Sequence, residues 1–462
     1  MINKYFTIGI GALTILKIVA IFLTNYSLFG DEAQYWLWSK SFDFGYFSKP
    51  PFIAWIIASY SWLFGDSFES LKLLPLSIYF ATSYAVYHLC LRLGFDGPAS
   101  IVCALSFLIM PAVSVSSFFI STDVFLLLFW TLSMIGLLNI KKTPSFINFI
   151  LCGIMLGLAF LAKYAAIYFF VSFFCLCLFD RGFRNLFLSN FLKLFILILV
   201  FLVVVLPNLI WNINNDWITL QHTSANANLG NTSLSFVRGV NFLLIQMLMI
   251  GLVLFFGAVY NFKKIKFDTE NVFLLCFSLP IILIVFFESI LVRANANWAA
   301  VGLISLFVFF IRSLFRGLNF FLTANFITNF IFAILFYLFI ASSNNHKIFD
   351  RINGVNIFSQ QFKGYLGETN NIVVSDRLLY SNLAYELRAE KINFFMPYVS
   401  GEKITNHFQI SSPLKKGKIN KFILIGDLSD IEYLGPIANI RLIKKTSVKF
   451  TKMPIKVYEV SF

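Results

Sequence analysis

Long apolar runs separated by short polar connections fill the first three-quarters of the chain. Crossing a bilayer as a helix takes about 20 mostly apolar residues. Runs of that kind lie near 5–29, 70–92, 98–118, 124–140, 146–162, 164–179, 190–211, 238–261, 271–290, 298–315 and 319–341, which predicts about eleven transmembrane helices. The stretch 51–64 is shorter and begins at Pro50-Pro51. Proline fixes φ and lacks a donor, so this piece reads as an interfacial helix set off by a rigid turn. From about Ser342 the membrane-length runs stop and Asn, Lys and Asp rise. Ile372–Asp376 and Phe422–Asp427 read as buried strands, Lys456–Val460 as an alternating strand, and Leu378–Glu390 carries helical periodicity. The pattern predicts a polytopic α-helical membrane domain over 1–341, with an outer first loop at 30–69, and a small α/β domain over 342–462.

Composition agrees. The chain is 59% hydrophobic and 13% charged, against roughly 45–50% and 25% for soluble domains. The formal net charge is +14, and its distribution orients the chain. With the N-terminus in the cytoplasm, the inner connections hold Lys4, Arg92, Lys141, Lys142, Arg181, Arg184, Lys263, Lys264, Lys266, Arg312 and Arg316. The other side receives Asn-rich, lightly charged loops at Asn208–Ser235 and Glu288–Asn297. By the positive-inside rule Asp31, Lys49 and the polar tail face outward, the periplasm of a Gram-negative inner membrane. No basic stripe interleaved with exposed aromatics suggests nucleic acid. All six cysteines sit in apolar runs, so neither a disulfide framework nor a cysteine metal site is expected. The run 5–29 exceeds a signal-peptide core and reads as a signal anchor.

Four polar clusters fall on the outer side: Asp31-Glu32 with Lys49, Ser121-Thr122-Asp123, Lys163-Tyr164, and Arg293-Ala294-Asn295-Ala296-Asn297. Charges at membrane depth are costly and usually face a cavity or a partner. Two carboxylate sites and three cations on one face suit a lipid-linked phosphate, with cations on the phosphate and a carboxylate on the acceptor. A transporter would place charges mid-span, with broken helices and symmetry between halves. A lipid-linked-sugar flippase is the alternative reading, and a non-catalytic envelope assembly protein the third.

Asp31-Glu32-Ala33-Gln34-Tyr35-Trp36-Leu37-Trp38, Tyr46-Phe47-Ser48-Lys49-Pro50-Pro51, Thr122-Asp123, Ala162-Lys163-Tyr164, Pro207-Asn208-Leu209-Ile210-Trp211-Asn212 and Asn295-Ala296-Asn297-Trp298-Ala299-Ala300 follow one another in this order. In this the chain resembles the bacterial GT-C glycosyltransferases of family 39 type, similar to protein mannosyltransferases and to lipid A aminoarabinose transferases. The resemblance covers about 5–315 and extends weakly to Asp376-Arg377 and Leu383–Leu387. It implies an inverting enzyme that takes a sugar from undecaprenyl or dolichyl phosphate, with lipid A, another envelope glycolipid or a protein as acceptor. It implies catalytic roles for Asp31 and Asp123, with Glu32 beside them, and Lys49 as a ligand of the donor phosphate. Arg293 and Lys163 are candidates to share that phosphate charge, and Tyr35, Tyr46, Tyr164 and Asn297 to contact substrate. Relatives commonly carry an acidic, metal-binding residue before the lysine; Ser48 stands there in this chain, a poor ligand, which leaves a divalent metal cofactor open. The tail reads as a support that supplies no catalytic group.

The topology is testable. Reporter fusions at Lys264 and Asn344 should report cytoplasm and periplasm respectively. A cytoplasmic signal at Asn344 would overturn the orientation.

Overall fold

The computed structural model describes residues 2–227, 232–315, 319–342, 347–366, 369–451 and 454–462. Arg316, Asn344 and the side chains of Lys4 and Lys264 lie outside the description. Internal contacts divide the chain into two units: Met1–Phe22, Lys49–Ile53 and Glu69–Ala341 form the first, and Leu23–Ser48, Ala54–Phe68 and Ser342–Phe462 the second. The polar tail thus collects two earlier segments from the region read as the first outer loop.

Helices occupy every apolar run. Among the described residues seven are long and apolar enough to cross a membrane alone, and nine if each of two bent pairs is one span. Gly97–Leu108 and Phe146–Ala162 are shorter apolar helices on two further predicted runs, and Phe52–Phe64 falls on the expected interfacial piece. The straight span expected at 238–261 needs correction. It is two helices, Phe236–Ile250 and Leu252–Tyr260, bent by 99°. The break is at Gly251, whose φ of +117° suits glycine. A Cβ there would come within 2.7 Å of Asn325 Oδ1 and 2.8 Å of Asn329 Nδ2. These buried amides put polar groups beside a backbone that has lost helical partners. The predicted outer loop from Asn208 is also shorter than expected, because the helix Phe191–Asn214 continues through it and Ile218–Ala227 is helical.

Phe146–Ala162 packs between Thr122–Lys142 and Phe191–Asn214. Gly153 and Gly157, four apart, permit the close approach: added Cβ atoms would lie 2.6 Å from Leu197 O and 2.6 Å from Val204 Cγ1. Two buried lysines escaped the sequence reading. Lys17 donates to Ser117 Oγ at 3.2 Å and lies over the Tyr337 ring; the Tyr337 hydroxyl is 2.9 Å from the same Ser117 oxygen. Lys72 lies over the rings of Phe118 and Phe119. Each cation meets hydroxyl or aromatic partners, the condition for burying it in an apolar unit.

The second unit holds a six-stranded sheet: β1 (Asn371–Val374), β2 (Asn393–Pro397), β3 (Pro413–Leu414), β4 (Lys421–Ile425), β5 (Asn439–Thr446) and β6 (Ile455–Ser461). The order is β3-β2-β1-β4-β6-β5. The first four are mutually parallel, and β6 runs antiparallel to β4 and β5. Ile372, Val374, Ile423 and Ile425 enter one core, while Val373, Phe422 and Leu424 enter the other. Burial on both faces explains why β1 and β4 read as unbroken apolar runs. The edge strand β5 was missed because Arg441, Lys444 and Lys445 break its pattern, as charges on edge strands do.

The helix Gly30–Trp38 packs on Arg377–Glu386. Asp66 accepts from Trp36 Nε1 at 3.1 Å and Lys40 Nζ at 2.8 Å, and its carbonyl accepts the Tyr385 hydroxyl at 3.1 Å. Trp38 stacks on Tyr46 at 4.8 Å, and His407 packs edge-on against both. His407 is 6% exposed, its Nδ1 has no hydrogen-bond partner among the described residues, and burial lowers its pKa from 6.5 to about 4.

Two stability predictions follow from this packing. Gly157→Leu should lower the thermal midpoint in detergent through overpacking costing about 1–3 kcal/mol, whereas Gly65→Leu, with nothing near its Cβ direction, should act only through its positive φ. His407 stays neutral in the folded chain while the unfolded chain takes up a proton below pH 6.5. Its contribution is therefore complete above 6.5 and is lost as pH falls toward 4, a loss of about 3 kcal/mol by linkage. Thermal unfolding at pH 7.5 and 5.0 should show a smaller acid-induced drop for His407→Phe than for the natural chain.

Candidate active site

In the first unit, three sequence clusters meet at one carboxylate. Asp123 lies in the first turn of Thr122–Lys142, where the helix dipole favours a negative charge. Its Oδ1 accepts from Lys163 Nζ at 2.7 Å, and its Oδ2 accepts from Asn297 Nδ2 at 2.9 Å. Lys163 can reach it because Phe146–Ala162 ends there and the backbone turns extended, at φ −160° and ψ 134°, before the short turn Tyr164–Ile167. Asn297 sits in another such turn, Ala296–Ala299, ahead of Ala300–Phe315. The pair is largely shielded, with side-chain exposures of 16% and 11%, and the amide completes the carboxylate's shell. Lys163, the candidate for the donor phosphate, gives one of its three N–H groups to Asp123.

Tyr164 is fixed by the helix Phe191–Asn214. Its hydroxyl donates to Asn208 Oδ1 at 2.9 Å and accepts from Asn212 Nδ2 at 3.1 Å. Both amides are 1% exposed. Two asparagines four apart after the long apolar run 194–207 were the available signal, since that spacing puts them on one face. Arg293 is exposed, with no ion pair among the described residues. Lys49 is partly exposed, after a turn at Phe47–Ser48 and before the two prolines.

Asn297 also lines an apolar cavity of about 900 Å³ in the first unit. Its walls include Val115, Phe119, Leu248, Leu252 and Phe332, and the helix break at Gly251 forms part of its lining.

The second unit holds the other candidate carboxylate. Asp31, in the first turn of Gly30–Trp38, has Oδ1 3.4 Å from Arg377 Nη1, which donates to Gln34 Oε1 at 2.7 Å. Arg377 belongs to the tail, so the tail places a cation beside this carboxylate. Three of the candidates turn inward instead. Glu32 is 1% exposed and accepts the Phe29 N–H at 2.8 Å, which caps the start of the helix. Tyr46 is fully buried, its one hydroxyl proton within reach of the carbonyls of Ser41 and Trp38, and it braces the loop. Tyr35 is buried against Trp38.

No three His, Cys, Asp or Glu converge among the described residues, and the Asp123 carboxylate already faces an ammonium. That donor set does not fit a divalent ion, and no step below passes through one.

Residues 48–211, the segment that contains Lys49, Asp123, Lys163, Tyr164 and Asn208, match the family described as dolichyl-phosphate-mannose-protein mannosyltransferase. The chain is 29% identical over 393 residues to lipid A galacturonosyltransferase RgtD of Rhizobium johnstonii, covering 81% of each chain. Its fold is similar to that of ArnT from Cupriavidus metallidurans. Against the crystal structure bound to undecaprenyl phosphate the TM-score is 0.71 at 12% identity, over 99% of this chain and 98% of that one. Against the apo crystal structure it is 0.65 at 13% identity, over 98% of both. The chain thus matches that family's model over residues 48–211 and shares the ArnT fold over nearly its whole length.

Proposed function

We propose that the chain moves a sugar from a polyprenyl-phosphate carrier, undecaprenyl phosphate, to lipid A or a related envelope glycolipid, at the periplasmic face of a bacterial inner membrane. The observation that carries this reading is the apolar cavity of about 900 Å³ with Asn297 in its wall, whose amide binds the Asp123 carboxylate that holds Lys163. An isoprenoid tail needs an apolar seat, and its phosphate and sugar need a polar end.

The sugar–phosphate bond breaks with its electron pair going to the phosphate oxygen, while the sugar gains oxocarbenium character and the acceptor oxygen attacks from the opposite face. Charge grows on the departing phosphate, so fixed cations stabilise the transition state more than the ground state. Lys49 and Arg293 are the cations assigned to it. Pro50 and Pro51 restrict the backbone after Lys49 and reduce the entropy lost in holding it. Lys163 is neutralised by Asp123, so the pair with Asn297 acts as a neutral, pre-oriented hydrogen-bonding wall. A hydroxyl acceptor requires a base, and Asp31, oriented by Arg377 and Gln34, is the group assigned. A phosphate acceptor is already anionic and requires Asp31 only for placement.

The purified chain in proteoliposomes, given undecaprenyl-phosphate sugars and lipid A, should yield glycosylated lipid A by mass spectrometry. Lys49→Ala should reduce turnover roughly 10²–10³-fold, by analogy with removal of one oxyanion-hole donor, with partial rescue by arginine. Asp123→Asn should also lose turnover, having lost its match to Lys163. Lipid translocation without transfer, or near-normal turnover of Lys49→Ala at saturating donor, would overturn the reading.

A further inference from the structure

The α/β unit contains a cavity of about 600 Å³ that the reading above does not use. It opens at the carboxyl ends of β1 and β4, where Ser375, Asp376, Gly426 and Asp427 follow the two strands. From β1 the chain goes to β2 on one side, and from β4 to β5 and β6 on the other. Parallel sheets place ligands in the crevice created where successive connections diverge in this way. The volume is in the ordinary range for a ligand site, about 300–1,000 Å³.

The lining is built and mostly committed. Asp376 accepts the N–H groups of Leu378 and Leu379 at 2.9 and 2.8 Å. Asp430 Oδ2 accepts the Asp427 N–H at 3.0 Å, and Asp427 is paired with Lys456. These bonds hold the carboxylates in place. The Ser375 hydroxyl oxygen is buried with no hydrogen-bond partner among the described residues, and a Cβ at residue 426 would overlap it. Phe29 and Phe450 add aromatic rings to the same wall.

The chemistry of the ligand follows. Carboxylates only accept, so the ligand must bring hydrogen-bond donors. Three carboxylates face two cations, Arg351 and Lys456, and Lys456 is already paired, so an anion is disfavoured. A neutral ring carrying several hydroxyls, with an apolar face for the phenylalanines, fits. The position has a further meaning. Gly30 and Asp376 line the cavity, and the next residue after each, Asp31 and Arg377, forms the ion pair assigned above to the acceptor.

We propose that this cavity is a saccharide seat, which holds the uncharged sugar rings of the glycolipid acceptor beside the Asp31–Arg377 pair. This rests on the transferase reading for the acceptor's identity, but the seat itself can be tested by binding.

The full chain in detergent is titrated with the dephosphorylated disaccharide headgroup of lipid A, its fatty acyl chains removed and both amines N-acetylated so that it is uncharged, followed by saturation-transfer NMR. Asp427→Asn and Asp430→Asn serve as separate variants, each checked for an unchanged thermal midpoint. Asparagine keeps an acceptor oxygen for the Asp430 loop bond while removing charge. The disaccharide should bind, with at least tenfold weaker affinity in either folded variant and unchanged binding of undecaprenyl phosphate. In transfer assays the acceptor KM should rise about tenfold, with kcat and the donor KM unchanged. Equal disaccharide affinity in natural chain and variants, or displacement of the disaccharide by inorganic phosphate, overturns the seat. If the natural chain binds the disaccharide through these carboxylates yet transfers no sugar, the transferase reading fails and the seat stands. If it transfers sugar and both variants keep the acceptor KM, the seat fails and the transferase reading stands.

Discussion

A carboxylate set into an apolar bundle must be matched, and the contact between Asp123 and Lys163 is how this chain meets that requirement. Leaving either charge alone there would be costly, because desolvation is offset only by a close partner and a complete hydrogen-bond shell. The consequence runs outward through the fold. Lys163 reaches Asp123 only because the helix Phe146–Ala162 stops one residue earlier. That helix is placed by Gly153 and Gly157 against Phe191–Asn214, whose own asparagines fix the neighbouring Tyr164. Asn297, from far along the chain, supplies the last hydrogen bond. One ion pair therefore ties together three helix ends and the polar end of an apolar cavity.

The membrane architecture was legible because the bilayer imposes a crude demand, length and apolarity, that sequence satisfies segment by segment. What was not legible is where a helix breaks without a proline. Gly251 is flanked by apolar residues, and the partners beside the break, Asn325 and Asn329, lie seventy-odd positions later. The same limit applies to Lys17, which looks like an interruption in an apolar run until Ser117 and Tyr337 stand beside it. Within the α/β unit, strands buried on both faces announced themselves, while the charged edge strand β5 did not.

The candidate site was readable as a set of residue types and unreadable as a set of partnerships. Asp123, Lys163, Tyr164 and Asn297 were all singled out, yet nothing local says that Lys163 faces Asp123 rather than a phosphate. Adjacent Asp31 and Glu32 look equivalent in sequence. A helix separates them by a rotation of about 100°, which leaves Asp31 toward Arg377 and turns Glu32 to the Phe29 amide. Tyr46 shows a related limit: aromatics at a membrane-surface loop serve equally as contacts for ligand and as packing, and here the ring completes a stack with Trp38.

The second unit is assembled from distant stretches, Leu23–Ser48 and Ala54–Phe68 near the start and Ser342–Phe462 at the end. During biosynthesis at about 5–20 residues per second, the early segments are made some tens of seconds before Arg377, Tyr385 and His407 exist to receive them. Trp36, Trp38 and Tyr46 must wait through the insertion of the whole helical bundle without their native neighbours. Closure of this unit is thus a late, long-range event in the life of the chain, with the slow kinetics that distant pairings impose. The carboxylate of Asp31 acquires its guanidinium partner only at that final step, so a polypeptide that has entered the membrane correctly is not yet a finished enzyme.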